Sequence, residues 1–340
     1  MQLHQLQQAR YFEQTEGGVV RCILCPHHCI LSEGQTGICG VRINTDGVLQ
    51  TKIYGAVSAI AMDPIEKKPL FHFHPGSKIL SIGTIGCNLK CPYCQNHHIS
   101  QNPNAKTKYY SPEDIVSNAI EFGSVGIAFT YTEPLIWAEY VIDTEKAVRA
   151  KGLKNVLVTN GFIDKSALID ILSTTDAMNI DLKCFSDETF SKVHKGKLAD
   201  VLNTIETAKS FGCHVELTTL IVSGINDSLS EMKQIISYIK SIDRSIPWHV
   251  SRYYPAWKYN AKPTETSLIK QILEETASQL DHVYCGNMAS ELRKNDTVCP
   301  SCGVLLVKRS GFFAQIMNEL NKENEAAFCK KCGQKINLIL

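Results

Sequence analysis

Between about residues 75 and 287, apolar runs rich in β-branched residues alternate with stretches of helical period. Strand candidates lie at 78–86, 125–132, 155–160, 177–182, 214–222 and 248–253, with a last one at 282–285. Helix starts stand between them: Ser111-Pro112-Glu113-Asp114 offers an N-cap serine with proline at the first turn, and Asp227-Ser-Leu-Ser-Glu231 opens in the manner of a capping box. Apolar strands joined by helices require a parallel sheet covered by those helices, open or closed into a barrel. The expected fold class is therefore α/β, a partial (βα)6 TIM-like barrel of parallel strands.

Chemistry in such barrels gathers at the C-terminal ends of the strands. Here the second strand runs into Thr130-Tyr-Thr132-Glu133-Pro134 and the third into Thr159-Asn160-Gly161. The fourth ends Asp181-Leu-Lys183, the fifth Gly224-Ile225-Asn226-Asp227, and the sixth Arg252-Tyr253-Tyr254-Pro255. Gly161 and Gly224 also suit turns, and Asp227 suits a helix cap, but Glu133, Asp181 and Lys183 at one mouth point to a site. The first strand leads directly to Cys87, Cys91 and Cys94, which read Cys-x3-Cys-x2-Cys. A structural zinc wants four protein ligands, and most iron–sulfur clusters take four cysteines. Three thiolates leave a coordination position open for a cofactor or substrate. A zinc knuckle completed by His97 or His98 is the structural alternative.

All but Cys184, Cys213 and Cys285 of the fourteen cysteines fall into three groups, and those three read as buried apolar thiols. In a reducing compartment, clustered cysteines signal metal more often than disulfide. The N-terminal group, Cys22, Cys25, Cys29 and Cys39, supplies ligands for zinc or for an auxiliary iron–sulfur cluster. His27 and His28 are alternative ligands that tilt the reading toward zinc or a structural knot. The C-terminal group, Cys299, Cys302, Cys329 and Cys332, forms two Cys-x2-Cys-Gly knuckles, the ligand pattern of a zinc ribbon. Three segments are thus expected: a cysteine-rich segment at 1–74, the core barrel at 75–287 and a zinc-ribbon-like segment at 288–340.

With 35 basic and 34 acidic residues there is no global field to attract nucleic acid. No apolar run is long enough to span a membrane, and the polar start is no signal peptide, so a cytoplasmic location is expected.

The stretch Cys87-Asn-Leu-Lys-Cys91-Pro-Tyr-Cys94-Gln-Asn resembles the signature loop of the radical S-adenosylmethionine enzymes. The resemblance implies a [4Fe–4S] cluster on Cys87, Cys91 and Cys94, whose free iron chelates S-adenosylmethionine. Reductive cleavage then yields methionine and a 5′-deoxyadenosyl radical that abstracts hydrogen. The strand ends resemble those of the glycyl-radical-enzyme activases, including the pyruvate formate-lyase activating enzymes. By that resemblance Thr132 and Glu133 contact the methionine amino group, Asn160 on the third-strand turn helps position the cofactor, Asp181 and Lys183 fix methionine carboxylate and ribose, and Tyr93 and Ile225 flank the adenine. There are departures. Val158 stands where activases carry an aspartate, Tyr131-Thr132 replaces a glycine pair, and Tyr254 falls where a histidine is usual. These put the cation site and the activase reaction in doubt, not the cofactor.

Over nearly the whole chain, Arg21-Cys-x2-Cys-Pro-His-x-Cys, Gly37-Ile-Cys-Gly-Val-Arg42, Glu66-Lys-Lys-Pro-Leu-Phe-His72-Phe-His-Pro-Gly76 and the terminal cysteine pairs resemble the radical enzyme family of the AmmeMemoRadiSam system. That implies pathway partner proteins encoded nearby but no settled substrate. Lys67, Lys68, His72 and His74 are candidates for the substrate side of the mouth. The expected activity is an oxidoreductase-type radical enzyme fed by flavodoxin or ferredoxin and acting on a protein or small molecule. The alternatives are a glycyl-radical activase, an RNA-modifying enzyme clamped by the ribbon, and a non-catalytic iron–sulfur electron-transfer or scaffold protein.

Overall fold

The computed structural model describes residues 6–288, 295–323 and 326–340. Its centre is an eight-stranded sheet, made of Ala59–Pro64 (β1), Lys78–Gly83 (β2), Gly126–Phe129 (β3), Lys154–Thr159 (β4), Ala177–Asp181 (β5), His214–Ile221 (β6), Trp248–Arg252 (β7) and Val283–Gly286 (β8). The strands lie side by side in chain order, from β1 at one edge to β8 at the other. β2 to β8 are parallel, and only β1 runs antiparallel, pairing Asp63 with Ile79.

Between successive parallel strands run the helices Pro112–Glu121 (α1), Ala138–Arg149 (α2), Lys165–Leu172 (α3), Leu198–Ser210 (α4), Leu229–Asp243 (α5) and Thr266–Thr276 (α6). Six βα units with a closing strand make the partial (βα)6 barrel, since β1 and β8 end the sheet as unjoined edges. The two helix starts expected from sequence are built. Ser111 and Asp114 form a reciprocal capping box, and the Ser228 hydroxyl accepts from the Glu231 amide. Among the described residues, no helix is long and apolar enough to cross a membrane.

The sheet reaches further back than the expected division at residue 75, because β1 belongs to it. The turn after β1 then drops Phe71 and His72 into the N-terminal end of the barrel. There the buried Glu216 on β6 accepts both of their amides, at 3.0 and 2.7 Å, together with His214 Nε2 at 3.1 Å and His249 Nε2 at 2.6 Å. His72 Nδ1 stands 2.6 Å from the Asn337 carbonyl, so it serves the barrel floor and the C-terminal segment. His72 is therefore not at the mouth, because four donors converge on one buried carboxylate at the opposite end. His74 leaves the mouth with it: its amide donates to the Ile339 carbonyl at 2.8 Å.

The N-terminal residues form small antiparallel sheets against the barrel, and Arg42 there makes a buried pair with Glu139 of α2 at 2.6 Å. The C-terminal residues form two three-stranded antiparallel sheets over a core of their own that includes Leu306, Val307, Leu320 and Ile336.

Candidate functional site

At the C-terminal ends of β2 to β7 the barrel opens into a cleft of about 580 Å³, within the range typical of small-molecule sites. Its wall includes the thiol-bearing loop after β2, with Cys87, Cys91, Tyr93 and Cys94, and the ends of β3 to β5, with Thr132, Glu133, Asn160, Asp181 and Lys183. Ile225 lies aside, packed with Tyr93, Val222 and Tyr253 in a satellite apolar cluster. Lys67 and Lys68 also line the cleft, as the sequence suggested.

The three thiols each meet a side-chain polar group from a different element. Asn160 Nδ2 lies 3.7 Å from Cys87 Sγ, His194 Nδ1 3.3 Å from Cys91 Sγ, and Ser100 Oγ 3.2 Å from Cys94 Sγ. Once a thiol is a thiolate it can only accept, so all three groups must donate to sulfur. His194 is buried, and its Nε2 has no hydrogen-bond partner among the described residues. Burial, followed by the neighbouring Glu133 charge, raises the Cys87 thiol pKa, and burial pushes Cys91 to about 11. Such thiols stay protonated at neutral pH unless a cation takes them, which suits metal ligands.

Spacing separates single ions from clusters. In tetrahedral zinc the Zn–S bond is about 2.3 Å, so bound thiolates sit roughly 3.8 Å apart. The C-terminal set matches: Cys299 and Cys332 sulfurs are 3.6 Å apart, Cys302 and Cys329 likewise, and all four lie within 4.8 Å of one another. Among the described residues, no other Cys, His, Asp or Glu group of three or more is so tight. Cys87, Cys91 and Cys94 line one cleft, but their sulfurs do not all lie within 4.8 Å of one another as the C-terminal set does. His97 does not complete a knuckle with them. Its Nδ1 faces the Cys94 carbonyl at 3.2 Å, and its ring stacks on Trp257 at 5.4 Å.

Glu133 spends both oxygens inside the protein. Oε1 accepts from the Leu135 amide at 2.9 Å and the Thr159 hydroxyl at 2.6 Å, while Oε2 accepts from the Asn160 amide at 2.8 Å. Burial pushes its carboxyl up to about 7 against these bonds. It thereby locks the ends of β3 and β4 together and orients Asn160. Lys183 Nζ donates to Asp181 Oδ2 at 2.8 Å. Burial works against its charge, but Asp181 and Cys91 hold the ammonium well above the usual lysine range.

Sequence reasoning missed Asp63, Tyr131, Ser100 and His194. Asp63 accepts from Lys67 at 2.8 Å, Lys68 at 2.6 Å and the Tyr131 hydroxyl at 2.7 Å, and Lys68 also lies 4.6 Å over the Tyr131 ring. Tyr131 stood out in the residue order only as the replacement of a glycine, and nothing there marks Asp63, Ser100 or His194. The four come from an antiparallel edge strand, a residue at φ 70°, a one-turn helix and the π-helical turn Phe190–His194.

Residues 81–239 match the family described as "Radical SAM superfamily". The chain is 40% identical over 340 residues to the uncharacterized protein MJ0808 of Methanocaldococcus jannaschii, covering 98% of this chain and 100% of that one. It is 26% identical over 219 residues to the putative glycyl-radical enzyme activating enzyme MJ1632 of the same organism, covering 61% of this chain and 80% of that one. It is likewise 26% identical over 166 residues to the pyruvate formate-lyase-activating enzyme of Clostridium pasteurianum, covering 46% of this chain and 67% of that one. A solved radical SAM methyltransferase from Sphaerobacter thermophilus superposes with a TM-score of 0.49 at 13% identity, over 88% of this chain and 81% of that chain. The chain belongs to the radical SAM superfamily, as an enzyme of that class with relatives among the glycyl-radical and pyruvate formate-lyase activating enzymes.

Proposed function

We propose that the chain cleaves S-adenosylmethionine at a [4Fe–4S] cluster held by Cys87, Cys91 and Cys94, and passes the radical to a protein or small-molecule substrate in the same cleft. The observation that carries this is the convergence of three thiols, each with its own donor, on the cleft that also holds Asn160, Asp181 and Lys183. When bound, the cluster and S-adenosylmethionine supply methionine and a 5′-deoxyadenosyl radical.

The chain's part is orientation and exclusion of water. Glu133 fixes the turn that aims Asn160. Lys183 offers a point charge to the methionine carboxylate. Asp181 accepts from ribose or amine, and Tyr93 forms the apolar wall for adenine, with Ile225 packed in the apolar cluster behind it. Lys67, Lys68 and Tyr131, held by Asp63, make a polar wall of the cleft, where a substrate would lie. The reductant is a one-electron protein donor of the flavodoxin or ferredoxin class. The substrate is a protein residue, as in the activases, or a small molecule handed on by pathway partners. The residues before β1 act as a metal-bearing appendage, β1 to β8 as the catalytic core and the C-terminal residues as a zinc clip, with zinc on Cys299, Cys302, Cys329 and Cys332. Oxygen-sensitive chemistry of this kind fits a reducing cytoplasm.

The test is anaerobic reconstitution with iron and sulfide, reduction with dithionite and chromatographic assay for 5′-deoxyadenosine. Steady product from S-adenosylmethionine is expected. Absence of both product and S-adenosylmethionine binding would sink the reading.

Replacing Lys183 with Met removes a charge-assisted bond of about 1.5–3 kcal/mol, so S-adenosylmethionine binding by anaerobic titration should weaken roughly 10- to 100-fold. Iron content should be unchanged, because no thiol is touched.

His194→Gln tests the sulfur environment. An N–H···S bond favours the more negative, reduced cluster. Losing a bond of about 1 kcal/mol corresponds to a fall of roughly 40 mV in midpoint potential for one electron. Potentiometric titration followed by electron paramagnetic resonance should show the fall, and an unmoved potential would remove His194 from this role.

A further inference from the structure

The four N-terminal cysteines line a single enclosed pocket. Cys22, Cys25, Cys29 and Cys39 all face it, along with Arg42 and Ile136. Two observations identify what it takes. First, the same structure closes the C-terminal thiols to single-ion spacing, yet no three of these four lie within 4.8 Å of one another. A zinc tetrahedron needs thiolates about 3.8 Å apart, so a lone ion here would require the pocket to collapse. A four-iron cube, which holds its thiolates at its corners, needs that wider spacing. Second, Arg42 is buried, lines the pocket and leaves its Nε–H without a partner among the described residues, although its other nitrogens bond Glu139 and the Arg10 carbonyl. An orphaned donor beside four thiols is satisfied by an anionic sulfur cluster. His27 and His28 are not needed as ligands. His27 Nε2 meets the Asn88 carbonyl at 2.8 Å, and His28 Nε2 meets Asp164 at 2.9 Å.

We infer that Cys22, Cys25, Cys29 and Cys39 hold a second [4Fe–4S] cluster, fully ligated by protein and hydrogen-bonded by Arg42. It stands directly beside the first cluster. Gly86, the residue before Cys87, has no room for a Cβ, which would lie 2.7 Å from the Cys39 carbonyl and 3.2 Å from Ile136 Cδ1. The two sites therefore share a wall, and His27 bonds the very loop that carries Cys87 and Cys91. This inference keeps the radical cluster as its companion but does not depend on it, since the two sites can be emptied separately.

The experiment compares iron, sulfide and zinc per folded chain in reconstituted wild type and in the Cys87→Ala/Cys91→Ala/Cys94→Ala variant. Wild type should hold about eight irons and the variant about four, each with one zinc. Reduced wild type should show a broadened resonance from two interacting clusters, and the variant a single uncoupled one. Two zincs per chain, or a variant without iron, overturns the inference. Equal iron in both proteins would instead remove the radical cluster and leave this one standing. A Cys25→Ala/Cys39→Ala variant gives the reverse subtraction, its fold checked by circular dichroism. If it keeps all the wild-type iron, the assignment is wrong.

Discussion

Replacing Cys87, Cys91 and Cys94 together with alanine should drop 5′-deoxyadenosine formation to the uncatalysed background while the protein stays folded. Both halves follow from where these residues sit. The thiols are on a loop after β2, outside the sheet registers that join β2 to β3 and β1. Their loss removes about 1 kcal/mol or less each from the metal-free protein, an ordinary cost for a point substitution. Their chemical role has no substitute nearby. His97 is turned onto Trp257, and Asn160, Ser100 and His194 contact the sulfurs without being able to replace a thiolate. Single alanine variants should behave almost as severely as the triple one, because a group that acts as a unit loses its function with any member. Absorbance near 400 nm and product chromatography on matched samples check this. Residual product from the triple variant, above a no-enzyme control, would mean that the cleavage site lies elsewhere.

How far this was readable from residue order differs by element. The parallel strands were legible because buried parallel strands leave long β-branched runs such as Val215 to Val222 and Lys154 to Val158. The helix starts were legible because a cap is a local event. β1 was not, since Ala59–Pro64 carries intermediate and exposed residues and ends in proline, as suits an edge strand. Its omission also misplaced His72 and His74, which the chain reversal after β1 carries to the barrel floor. In the site, residues carrying a motif at a strand end, such as Asn160 and Lys183, were readable. The groups that hold the cleft residues in place were not, because Asp63, Ser100 and His194 meet Lys68, Cys94 and Cys91 through tertiary packing alone. For the N-terminal cysteines, spacing along the chain left zinc and cluster undivided, and only their placement around one pocket bears on the choice.

The largest stability effect should come from the far end of the barrel, at Glu216. This buried carboxylate accepts from two amides and two imidazoles, and burial, which would raise its pKa, is outweighed by His214 and His249, which hold it well below the usual range. In Glu216→Gln the new NH2 group would face two of these donors with nothing to offer, and in Glu216→Ala all four are orphaned. Breaking such a buried ionic network costs about 3–5 kcal/mol, which at roughly 2–4 °C per kcal/mol lowers Tm by about 10 °C. The same floor sets the acid limit. Burial depresses His282 to about 4 and also lowers His72, which stands 2.6 Å from the Asn337 carbonyl and packs its ring on His282 at 4.4 Å. A histidine kept neutral in the fold but free to charge when unfolded stabilises above pH 6.5. That contribution is lost as pH falls toward 4. Wild type should therefore melt progressively lower between these values, with Glu216 adding its own loss below about pH 4.5 as its carboxyl protonates in the unfolded chain. Because Glu216 anchors Phe71 and His72, and Arg309 donates to the Phe71 carbonyl at 2.6 Å, the variant should also loosen the C-terminal segment. Hydrogen exchange should rise in residues 335–340 before it rises in the thiol-bearing loop. A Glu216→Gln protein that melts within a degree or two of wild type at pH 7.5 would show that the plug is held by its apolar contacts instead.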